Sequence, residues 1–222
     1  MEKKRLIIGI LVFGSLWGFS ECIIGSMLHD AGLPAGAVMT GIVALGLMCI
    51  SRFWFQQKGM QLGMGLVAGT MRLCNPFGGC FICSAFAIMA EGVLFEILWY
   101  KLMQDPSKLQ CLKVQVSMGI VGAYTLYVGG YIITQILTPI VSSAGFYLEN
   151  LVIFIPSILA SGLLAAVIGS ITVPAVYALK KMDIRLKDTV YYPVAISVSF
   201  FCWFIVIINT MLIITSCTSC GL

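Results

Sequence analysis

Residues 3–28 read KKRLIIGILVFGSLWGFSECIIGSML: three cations, then an apolar run from Leu6 to Leu28 whose only formal charge is Glu21. A helix that crosses a bilayer needs about 20 residues, and this run supplies them. Cations beside a span stay on the cytoplasmic side, so Lys3, Lys4 and Arg5 place the start of the run inside. A secretory signal would be shorter and end in a small-residue cleavage site. Here the run continues to His29 and offers no such site, so it reads as a retained span.

The same alternation repeats along the chain. Of its thirteen Lys and Arg residues, all but Arg72 fall in four clusters. Arg52 and Lys58 follow the second apolar run, Lys101, Lys108 and Lys113 the fourth, and Lys180, Lys181, Arg185 and Lys187 the sixth. These clusters read as cytoplasmic, and the segments 30–36, 75–79 and 141–150 as outside. The expected spans are Leu6–Leu28, Gly36–Phe55, Met60–Cys74, Cys80–Leu102, Val114–Thr138, Leu151–Leu179 and Ala195–Thr215. The third is short enough to be re-entrant, leaving six crossings. Re-entry would carry Lys101, Lys108 and Lys113 outside, so it is read as a crossing. The expectation is an all-α integral membrane bundle of about seven helices, one domain over residues 1–222, in the cytoplasmic (inner) membrane. Its N-terminus lies inside and its C-terminus outside.

Composition agrees: 60% of the 222 residues are hydrophobic and 10% charged, against about 25% charged in soluble domains. The net charge of +4 is spent on topological anchors, with no patch left for nucleic acid. Phosphate-binding loops, G-x-S-x-G and H-E-x-x-H are missing. With His29 the one histidine, a binding or transport protein is favoured over an enzyme. No motif requires a cofactor.

Polar groups within the spans carry the functional signal, because ionisable side chains in a membrane are costly unless paired, hydrated or used. Glu21 shares a helical stripe with Gly14, Gly18 and Gly25. Small residues at that spacing serve helix packing or the docking of a partner. Glu91 falls roughly 16 Å below the outer end of its span, at about 1.5 Å per residue, beneath Cys80, Ser84 and Ala87 on the same face. Glu96 lies on another face. Arg72 is the counter-charge, in reach of Glu21 or of an anionic part of a ligand. Tyr124, Tyr127, Tyr131, Gln135 and Thr138 form one stripe suited to holding a planar polar ligand, and equally to helix packing. Glu21, Arg72, Glu91, Tyr124, Tyr127, Tyr131 and Gln135 are therefore the candidate ligand-binding set.

Nine cysteines support a second reading. Cys74, Cys80 and Cys83, with Cys217 and Cys220, have spacings that suit a disulfide, a thiolate metal site or a thiol-exchange pair. Cys22 and His29, seven residues apart, fall on nearly the same helical face and add a second candidate for a metal. Cys49 and Cys202 read as small hydrophobes. This reading gives a membrane thiol oxidoreductase or a handler of soft metal ions. A third is a subunit of a larger membrane complex.

The layout, with Gly14-x-x-x-Gly18-x-x-Glu21 on the first span and Gly32-Leu33-Pro34-Ala35-Gly36 in the loop after it, resembles the substrate-binding S components of energy-coupling-factor transporters. The resemblance covers roughly the first forty residues. It implies capture of a small molecule from outside and docking, through Gly14 and Gly18, onto a transmembrane coupling subunit served by ATPases on other chains. Two features differ: the family usually has six spans with both ends cytoplasmic, and its metal-binding branch uses an N-terminal histidine that is missing here.

Overall fold

The computed structural model describes residues 2–75, 81–102, 110–141, 148–180 and 188–219, and its secondary structure is helical throughout those segments. Helix α1 runs Glu2–Ser20, passes through a π-helical segment Glu21–Gly25 and ends as Ser26–Asp30. Helix α2 has the same construction: Ala35–Val38, π-helical Met39–Ala44, then Leu45–Trp54. The remaining helices are α3 Met60–Leu73, α4 Phe81–Leu102, α5 Leu112–Val141, α6 Leu148–Lys180 and α7 Asp188–Ser219. Among the described residues, six stretches are long and apolar enough to cross a membrane, all except α3. The protein is a polytopic, all-α membrane bundle. Helices suit that setting because they satisfy their backbone groups internally.

Local chemistry fixes the turns. Gly32, at φ +69°, ends α1 in a left-handed conformation. Its amide bonds the His29 carbonyl at 2.9 Å and the Leu33 amide bonds Leu28 at 3.0 Å, the Schellman pattern that uses up a helix's last carbonyls. The start of α3 is capped from another helix. The backbone amides of Gly59 and Leu62 both donate to the Glu96 carboxylate, placing negative charge at the positive end of the helix dipole.

Helices α1, α3, α4, α5 and α6 pack in that order, each on the next except that α6 meets α2, which closes the ring against α1. Helix α2 is the most buried of the candidate spans and α7, packed on α1, the least. Neighbouring helices come close enough for backbone contact. A Cβ on Gly119 of α5 would lie 2.0 Å from the Gly169 carbonyl oxygen of α6, the close approach that small residues permit. Large buried side chains, among them Trp17, Met48, Met60, Met64 and Leu126, fill the interior.

Aromatic contacts gather at one end of the bundle. Phe55 touches Phe13 and Tyr191, Phe53 touches Trp99 and Tyr177, and Arg5 lies over the Tyr191 ring. These contacts join the start of α1 and α7 to the far ends of α2, α4 and α6, so successive helices alternate in direction. Of the Lys and Arg residues in the described segments, all but Arg72 sit at this end. Helix α3 takes part in the alternation although it is only 14 residues long: Gly59, just before its start, meets Glu96 at the aromatic end, and Arg72, near its finish, lies at the opposite end.

Candidate functional site

At that opposite end, where α1, α3 and α5 finish and α2 and α4 begin, the helices enclose a cavity of about 320 Å³. Of the ligand-binding set named above, Glu21, Arg72, Glu91, Tyr131 and Gln135 line it. Gly25, Ser26, His29, Ala35, Gly36, Met39, Thr40, Cys83, Ser84, Ala87, Ile88 and Thr134 complete the wall.

Glu91 lies at the cavity's buried side, 6% exposed. Thr40 Oγ1 donates to its Oε1 at 2.7 Å, whereas Oε2 has no hydrogen-bond partner among the described residues. A buried carboxylate oxygen left in that condition costs free energy unless something in the cavity meets it. Gly130, close beside Glu91, has no side chain to crowd it. Glu21 is arranged in a similar way. Trp17 Nε1 donates to Oε1 at 3.3 Å, and Oε2 lies 3.5 Å from where a Cβ on Gly25 would stand, on the cavity wall. Each carboxylate thus has one oxygen held by the fold, and both residues line the cavity.

Arg72, 5% exposed, donates from Nε to Ser84 Oγ at 3.3 Å and from Nη1 to the Asn75 carbonyl at 3.4 Å. It also attracts Glu21 electrostatically. The guanidinium therefore ties α3 to α4 while it faces the cavity.

The tyrosine stripe divides. Tyr131 lines the cavity, and Tyr127 packs behind it with ring centroids 4.7 Å apart. Gly36 of α2 makes room for both rings: a Cβ there would come within 2.9 Å of the Tyr131 hydroxyl and 3.3 Å of the Tyr127 ring. Tyr124 turns instead toward Gly162 of α6. It is a packing residue, because a stripe wide enough to include it reaches around α5 to the neighbouring helix.

Gly14 and Gly18 face α3, where added Cβ atoms would meet Val67 at 2.7 Å and Met71 Cβ at 2.9 Å. Here they serve helix packing, the first of the two uses that their spacing allows, and of the three glycines on that stripe only Gly25 reaches the cavity. Cys22 and His29 also part company. Cys22 is buried against Met71, Cys202 and Val206, while His29 stands at the cavity. The π-helical segment Glu21–Gly25 between them adds a residue to the turn, which spoils the seven-residue register of a regular α-helix.

Cys74 and Cys111 are free and exposed, and Cys22, Cys49 and Cys202 are free and buried. Cys83, on the cavity wall, is disulfide-bonded. The side chains of Cys80, Cys217, Cys220 and Thr138 lie outside the described residues. Among the described residues, no group of three His, Cys, Asp or Glu side chains is placed to hold a metal ion.

Thr40, Gly36, Ser84 as the Arg72 partner, and the two π-helical segments were not apparent in the sequence as parts of the site. Both π segments, one in α1 and one in α2, contribute to the cavity wall, and such distortions are frequent at functional sites. No family model, curated protein or solved structure matches the chain.

Proposed function

We propose that the protein binds a small solute in this cavity, taken from the side that the charge pattern puts outside, as a transporter or as the substrate-capturing subunit of one. The observation that carries the reading is Glu91: a buried carboxylate midway along α4 that lines the cavity, held by Thr40 through one oxygen and unpartnered at the other among the described residues. Intramembrane ionisable groups mark substrate or ion paths, and the cavity's volume is at the low end for ligand pockets.

The resemblance to energy-coupling-factor S components supports the capture role, with a coupling subunit and ATPases on other chains supplying energy. In that arrangement the coupling subunit meets a surface other than the Gly14 and Gly18 face, which α3 occupies.

Native mass spectrometry of gently extracted protein tests the proposal. Wild type is expected to retain a small molecule. Ala87→Trp, which fills the cavity without altering a charge, is expected to fold and lose it. Identical spectra from the two proteins would overturn the reading.

A further inference from the structure

The wall of the cavity carries two carboxylates, Glu21 and Glu91, against one guanidinium, Arg72. The two carboxylates line the same cavity, where like charges repel. Arg72 is engaged by the fold, through Ser84 and the Asn75 carbonyl, so a ligand need not bring an anion to satisfy it. Glu91 differs: its side chain, more than nine-tenths buried, lines the cavity and has an oxygen, Oε2, without a hydrogen-bond partner among the described residues.

A cation beside a buried carboxylate favours its ionised form, which accepts hydrogen bonds and cannot donate them. Between two carboxylates, a positively charged donor is therefore favoured over a neutral one. A bare metal ion fits the wall less well, since no group of three ligating side chains is arranged for one among the described residues. The Tyr131 ring, backed by Tyr127, adds an aromatic surface of the kind that attracts organic cations.

Resting on the solute-binding reading above, we infer that the cavity selects a small organic cation with at least one N–H donor, an amine whose nitrogen sits between Glu91 and Glu21. Thr40 and Trp17 act as positioning residues, each holding one oxygen of a carboxylate that lines the cavity.

The test uses the full chain in lipid nanodiscs and three probes of closely related skeleton: phenethylamine, phenethyl alcohol and hydrocinnamate, which are cationic, neutral and anionic at neutral pH. Calorimetric titration is expected to show the amine bound at least about tenfold more tightly than either of the others. That preference should fall by a similar factor in Glu91→Gln and, as a second variant should the first not fold, in Glu21→Gln. A stronger response to hydrocinnamate, or an amine preference that survives in both variants, would overturn the amine assignment. If wild type retains a solute by native mass spectrometry but shows no amine preference, the ligand class is wrong and the solute site stands. If it retains none and binds none of the probes, both fall together.

Discussion

Thr40 shows at the smallest scale how the site is held. Its hydroxyl is a single polar group in an apolar run, and its bond to Glu91 joins residues 51 apart in the chain. Thr40→Val keeps the shape and removes the donor, leaving a second buried carboxylate oxygen unsatisfied. It is expected to lower stability by about 1–3 kcal/mol in a detergent unfolding titration, while Thr40→Ser stays near wild type. Equal stability of Val and Ser at this position would show that the bond does not hold Glu91. Glu91 itself was legible in the sequence, because a carboxylate within an apolar span stands out whatever its neighbours are. Thr40 was not, since nothing local to it reveals which helix it faces. The Glu96 cap on α3 escaped for the same reason: its partners, Gly59 and Leu62, lie 37 and 34 residues away.

The glycine stripe of α1 serves two purposes along one helix. Gly14 and Gly18 let α3 approach closely, whereas Gly25 opens onto the cavity. Gly18→Leu would drive a side chain into Met71 and Ala68, with its Cβ already 2.9 Å from Met71 Cβ. The expected cost is about 1–3 kcal/mol, the usual penalty for overpacking. At Gly25 the nearest atom to an added Cβ is Glu21 Oε2 at 3.5 Å, an ordinary contact, so Gly25→Ala should unfold at or above the wild-type midpoint. The reverse ranking in the same unfolding assay would contradict this division of the stripe. Four-residue spacing showed the stripe in the sequence but not its division, which depends on where α3 ends. The π-helical segments were equally hidden. A pattern read at 3.6 residues per turn carries no mark of an inserted residue, and so Cys22 and His29 were placed on a face they do not share.

For the whole molecule, alternating apolar runs and basic clusters were sufficient to read the helical bundle and the order of its turns. The third helix followed from charge bookkeeping alone, because only a crossing keeps Lys101 and Lys113 at the same end as Arg52 and Lys58. Packing order within the ring, and the convergence of five helix ends on one cavity, depend on side-chain fit that hydropathy does not encode. The proposed function requires this cavity to be a water-accessible, acidic site open to the outside. Ala87, on its wall, is the place to test it, using Ala87→Cys in a Cys74→Ser background and two membrane-impermeant thiol reagents of opposite charge, trimethylammonioethyl and sulfonatoethyl methanethiosulfonate, applied to intact cells. The new thiol is expected to be modified from outside, and at least about tenfold faster by the cation, as attraction by Glu21 and Glu91 requires. Modification only after the cytoplasmic face is exposed, or a faster reaction with the anion, would contradict the proposed function.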